Sequence, residues 1–80
     1  MVMTVKIYTT YSCVWCNRAK EFFKQNNVSF QEVNVEYDSE ALNEMFEKSG
    51  QLGVPVIDVN GTIIIGFDKG ALESALGLKK

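Results

Sequence analysis

Residues 3–9, Met-Thr-Val-Lys-Ile-Tyr-Thr, alternate apolar and polar side chains, the period of a half-buried strand. A polar loop, Thr10-Tyr11-Ser12, follows, and Ser12 is placed to cap a helix from about Cys13 to Asn26. Trp15, Ala19, Phe22 and Phe23 fall at helical spacing, with Arg18, Lys20, Glu21 and Lys24 turned to water. Asn26-Asn27 ends that helix, and Val28 to Val35 reads as a second strand burying Val28, Phe30, Val33 and Val35. Tyr37-Asp38-Ser39 turns into a second helix over 39–49, with Ala41, Leu42, Met45 and Phe46 inward and Gly50 as its stop.

Val56-Ile57-Asp58-Val59 and Thr62-Ile63-Ile64-Ile65 flank Asn60-Gly61, the strongest short-range signal for a β-hairpin. Asp68 then caps a third helix carrying Leu72, Ala75 and Leu76, with Phe67 and Leu72 set as a hydrophobic staple and Gly77 at its end. The order is β-α-β-α-β-β-α. A right-handed first crossover makes the first two strands parallel, while the hairpin is antiparallel. The compact solution is an α/β fold: a four-stranded mixed sheet with helices on both faces.

Eighty residues suffice for one domain, 1–80, and 46% hydrophobic content with nine aromatic rings argues against disorder. The longest aliphatic run, Ile63-Ile64-Ile65, is far short of the ~20 residues that span a bilayer. The first residues, Met1-Val2-Met3-Thr4-Val5-Lys6, hold no basic leader followed by an apolar block, so a cytoplasmic location is expected, with no membrane partner. Net charge is −2 but uneven: residues 1–26 are positive, and residues 27–60 hold seven acids against Lys48 alone. No basic stripe suggests nucleic acid, and a monomer is expected. There is no histidine, which removes Ser–His and Cys–His nucleophile pairs and the commonest zinc ligand.

The chemistry that remains sits in Cys13-Val14-Trp15-Cys16. Two cysteines placed at random in this chain would stand three apart in only about 2% of arrangements. More telling is the context, a strand-to-helix junction. A thiol attacks a disulfide only as thiolate, and a free cysteine is only ~3% ionised at pH 7. Unpaired N–H groups and the dipole at a helix N-terminus stabilise negative charge on sulfur, and Lys6, Arg18 and Lys20 are candidates to strengthen that field. Cys16, one turn on, lies on the same helix face, more buried and acting second. A zinc site shared between chains, a permanent structural disulfide and two inert thiols are the competing readings. No metal is expected.

With Lys6-Ile7-Tyr8-Thr9 leading into Cys13-x-x-Cys16, then Arg18-Ala19-Lys20, Val54-Pro55, the hairpin and Gly66, the chain resembles the glutaredoxins across essentially its whole length. The resemblance implies a thioredoxin-like fold and a thiol–disulfide oxidoreductase, with Cys13 nucleophilic and Cys16 resolving. It implies glutathione as reductant and disulfide-containing proteins as partners. It also implies a cis peptide bond before Pro55, which faces the cysteines, and a Val54 backbone that pairs with substrate like an extra strand. Tyr11, Val14, Trp15, Val54, Pro55, Gly66, Phe67 and Asp68 are the candidate substrate- or glutathione-binding residues on this basis. Each of four has a plainer reading beside it: core packing for Trp15, loop packing for Tyr11, core or staple for Phe67, and helix capping for Asp68.

The chain departs from the family pattern at two places. Thr10 stands where a basic residue usually precedes the first cysteine. Gly66-Phe67-Asp68-Lys69-Gly70 stands where a Gly-Gly step and an Asp pair usually hold the γ-glutamyl end of glutathione. The Gly-Phe step instead resembles redoxins fed by thioredoxin reductase, including those that serve ribonucleotide reductase. An iron–sulfur scaffold bridged by glutathione and a non-catalytic binding module are the further alternatives.

Overall fold

The computed structural model describes residues 4–78. Its elements are β1 (Val5–Thr9), α1 (Val14–Gln25), β2 (Gln31–Asn34), α2 (Ser39–Ser49), β3 (Val56–Val59), β4 (Thr62–Ile65) and α3 (Lys69–Leu76). The sheet order is β2-β1-β3-β4, with β1 parallel to β2 and both other pairings antiparallel. This is the expected mixed sheet of a thioredoxin-like fold.

The two-residue period of β1 sorts the core into two layers. Val5 and Ile7 point to one face and join Ile57, Val59, Ile64, Ala19, Phe22, Phe23, Leu72 and Leu76, so α1 and α3 cover this side. Tyr8 points to the other face, where Val35, Met45 and Val56 bury it beneath α2. Both faces of β1 are thus dry, and among the described residues no buried side-chain nitrogen or oxygen lacks a hydrogen-bond partner. No helix among these residues is long and apolar enough to cross a membrane.

Several boundaries and burials differ from the sequence reading. The second strand is shorter, because Asn27 takes a left-handed turn (φ 56°) and the chain needs Val28 to Phe30 to climb from α1 to the sheet edge. Val28 and Phe30 still pack on the core from that loop. Met3, the first position of the expected strand, lies outside the described residues. Cys13, not Ser12, caps α1. Phe46 is 48% exposed rather than inward, and Trp15 is 57% exposed, as a binding residue and not as part of the core. The stripes of α1 and α2 are narrower than their apolar residues allow, since Ala19, Phe22 and Phe23 already fill the space over β1, and Met45 with Leu42 fills it under α2. The Asn60-Gly61 turn has positive φ at both residues (52° and 93°), as a two-residue hairpin loop requires.

A polar cluster ties α2 to the sheet. The buried Tyr8 hydroxyl donates to Glu44 and accepts from Lys48, 2.9 Å away. Lys6 donates to Glu44 at 2.8 Å, and Lys48 also reaches Asp58 at 2.9 Å. The Lys6 and Tyr8 hydrogen bonds hold the Glu44 carboxyl well below its ordinary value, at about 2. Burial alone would raise Asp58, but the Lys48 ammonium and the Gly61 amide outweigh it and lower the carboxyl. Lys48 is raised, chiefly by its bonds to Tyr8 and Asp58.

A group with a lowered folded-state pKa contributes stability that is complete above its unfolded value and is lost as pH falls through the folded one. Glu44 therefore stabilises the fold above about pH 4.5 and ceases to do so by about pH 2. Glu44 is 44% exposed, so the effect is modest and screened by salt. Chemical denaturation from pH 6 to pH 2 should show stability falling across this window in the wild type and a shallower fall in E44Q. Equal slopes would remove Glu44 from the account.

Candidate active site

The carboxyl end of β1 delivers the chain through Thr10 to Ser12 into α1, and Cys13 lands at the helix N-cap in extended geometry (φ −97°, ψ 108°). Its Sγ accepts the Cys16 amide proton at 3.0 Å, the hydrogen bond a Ser or Asp side chain would make at that position. One of the orphan donors of the first turn is thus aimed at the sulfur. Cys13 and Cys16 are joined as a disulfide with Cα atoms 5.2 Å apart. Cys13 is partly exposed, whereas Cys16 is completely buried. One sulfur faces solvent and the other waits behind it.

Lys6 and Lys20 do not supply an unpaired cation here. Lys6 is committed to Glu44 under α2, and Lys20 to Glu32 at 2.9 Å. Glu32 is lowered by that Lys20 bond first, against burial, with Thr9 donating a further bond at 2.9 Å. Arg18 lies over the Trp15 ring at 5.2 Å, one turn along the same helix face.

Five of the eight candidate binding residues meet in one place. Trp15, Val54, Pro55, Gly66 and Phe67 line a cleft of about 250 Å³. The Val54–Pro55 bond is cis, in agreement with the family resemblance. Pro55 is buried at the start of β3, and its carbonyl accepts the Gly66 amide at 2.8 Å, which fixes the two loops that form the cleft. Gly66 sits at φ 78°, where a side chain would be strained.

Phe67 stacks beneath Trp15 at 6.5 Å and meets Phe22 edge-on at 5.9 Å; Phe22 in turn touches Phe23, and Phe23 touches Phe30. A run of rings therefore braces the exposed Trp15 from the core outward. Phe67 also packs on the cluster holding Leu72, so the staple and the cleft wall are the same residue.

The other three candidates lie elsewhere. Val14 is 64% exposed on the first turn of α1. Tyr11 is also exposed; its amide donates to Glu36 at 3.0 Å and its ring lies 5.9 Å from Tyr37. With Thr10, Asn17, Lys20, Glu32 and Asn34, Tyr11 lines a separate polar cleft. Asp68 caps α3, its Oδ1 accepting the Ala71 amide at 3.1 Å. Tyr37 was not among the residues singled out, and Arg18 was named for its charge near the cysteines and not for its place on Trp15. The i, i+3 spacing of Trp15 and Arg18 was a signal for the second, whereas nothing local marks the first.

Comparison with known proteins now decides the family. The glutaredoxin family profile matches residues 5–64. The chain belongs to the glutaredoxin family. It is 43% identical over 72 residues to a glutaredoxin-like 8.6 kDa protein from the rubredoxin operon of Clostridium pasteurianum, covering 90% of this chain and 96% of that one. It is 38% identical over 64 residues to glutaredoxin 3 of Escherichia coli, covering 80% and 77%. Among solved structures, methanoredoxin of Methanosarcina acetivorans superposes with a TM-score of 0.85 at 25% identity, covering 92% of this chain and 84% of that one.

Two outcomes follow from the geometry. After reduction, brief alkylation with iodoacetamide near pH 6.5 should label Cys13 and spare Cys16, as read by peptide mass spectrometry; preferential labelling of Cys16 would reverse their assignment. Phe67→Ala should cost about 2–4 kcal/mol through loss of its core contacts. Because Trp15 is the one tryptophan, its emission should shift to the red in that variant.

Proposed function

We propose that this protein is a cytoplasmic dithiol oxidoreductase that carries electrons to protein or glutathione mixed disulfides. The observation that carries the reading is a partly exposed Cys13 at the N-cap of α1, bonded to a fully buried Cys16. In the reduced protein the Cys13 thiolate attacks one sulfur of the target disulfide, and the other target sulfur leaves as thiolate. The result is a Cys13 mixed disulfide. Cys16 then loses its proton and attacks Cys13 Sγ, releasing the second target thiolate and closing the Cys13–Cys16 bond.

Two electrons pass from the dithiol to the target, and two protons complete the target thiols. The target chain lies along Val54 as an added strand, with Pro55, Trp15 and Phe67 around the reacting sulfurs. Two molecules of glutathione, oxidised to the disulfide, return the electrons.

A second reading, reduction by a flavoprotein thioredoxin reductase, is favoured by specific residues. Thr10 offers no cation for a glutathione carboxylate, Asp68 spends an oxygen on the Ala71 amide, and Phe67 fills the place of a glycine.

The oxidised protein, NADPH and a small disulfide substrate, supplied with either glutathione and glutathione reductase or thioredoxin reductase alone, separate these sources. Turnover with glutathione supports the first reading, and turnover only with thioredoxin reductase selects the second. In either system C13S should lose at least a thousandfold in rate, while C16S should accumulate the mixed disulfide on Cys13. Full activity in C13S would end the proposal.

A further inference from the structure

Phe67 is a wall shared by two clefts. One is the apolar cleft with Trp15, Val54, Pro55 and Gly66. The other, of about 200 Å³, is lined by Arg18, Glu21, Phe22, Gln25, Phe67 and Lys69. Arg18 and Lys69 are both exposed, and neither takes part in an ion pair among the described residues. Glu21 leaves this cleft with one net positive charge, enough for a single added carboxylate. The two clefts adjoin at two places, across the Phe67 ring that both share and where the Arg18 guanidinium of one lies on the Trp15 of the other. On the other flank of the cysteines the charges are already matched or acidic: Lys20 is held by Glu32, and Glu36 holds the Tyr11 amide.

We propose that the second cleft is a carboxylate subsite for the polypeptide being reduced. The target seats an apolar side chain next to its cysteine in the Val54–Pro55–Phe67 cleft and pairs an Asp or Glu with Arg18 and Lys69. Arg18 lies five residues past Cys13 in α1, about 7.5 Å along the helix axis, which two or three residues of extended target chain cover. The substrate class is thus a protein disulfide with an apolar neighbour and an acidic residue two or three positions away. This inference rests on the reductase reading above and concerns which disulfides it prefers.

The test is a single turnover of pre-reduced protein, without glutathione, on two peptides disulfide-linked to the same chromogenic thiol. Both carry Leu beside the cysteine; one has Glu and the other Lys at the third position on each side. The wild type should reduce the Glu peptide on the order of tenfold faster at low ionic strength, and the advantage should shrink to about twofold at 0.5 M salt. The double variant R18Q/K69Q should lose the advantage, and R18K/K69R, which conserves both charges, should keep most of it. Equal rates for the two peptides in the wild type, or an advantage that survives R18Q/K69Q, would overturn the subsite alone. Failure of the wild type to reduce either peptide would overturn the reductase reading and the subsite with it.

Discussion

The register of β1 against its two neighbours governs where the chemistry can sit. Tyr8 pairs with Val33 on the parallel side and with Val56 on the antiparallel side, so the carboxyl end of β1 lies beside the amino end of β3. From the first the chain runs into the Cys13 cap; Pro55 immediately precedes the second. Sulfur and cis-proline are thus brought to one end of the two central strands by strand pairing, although 42 positions separate Cys13 from Pro55. A slip of one residue would turn Val5 and Ile7 out of the α1 layer and Tyr8 out of the α2 layer. Burial on both faces of β1 therefore protects the active-site geometry as well as the fold.

That constraint leaves α1 with two tasks at its amino end. A helix start needs an acceptor for its unpaired amides, and here the acceptor is the Cys13 sulfur. The same sulfur that satisfies the helix is also half of the disulfide. One turn later Cys16 is inside the core and shielded from solvent. The difference in exposure between the two sulfurs thus follows from the pitch of the helix against the sheet.

How much of this could be read from the chain alone depended on the range of the interactions involved. The strand at β1, the Asn60-Gly61 turn, and Asp68 and Gly77 at the ends of α3 are local signals, and the structure carries each of them, although β1 is buried on both faces where a half-buried strand was expected. The burial of Tyr8 was not legible, because it depends on Glu44 and Lys48 arriving from α2 some forty residues later. Trp15 and Phe46 obey helical spacing yet point to solvent, since periodicity ranks the apolar positions but does not count how many the sheet can cover. The cysteine pair and Val54-Pro55 were visible, whereas the grouping of Trp15, Gly66 and Phe67 around Pro55 came only with the loops.

Phe67 shows why the two departures from the family pattern belong together. As the residue before the Asp68 cap it must pack against Leu72 to fix the entry of α3. Its ring, too large to be swallowed there, continues outward between Phe22 and Trp15 and becomes the wall between an apolar cleft and a cationic one. A glycine at this position would leave Trp15 unsupported and merge the two clefts into one shallow surface. The large side chain therefore fills space that a glycine would leave open and braces Trp15 as an aromatic ridge. Thr10, the other departure, lies on the opposite flank in the polar cleft with Tyr11 and Asn17. The packing of α3 and the shape of the cleft are consequently linked through one side chain, and neither can be altered without moving the other.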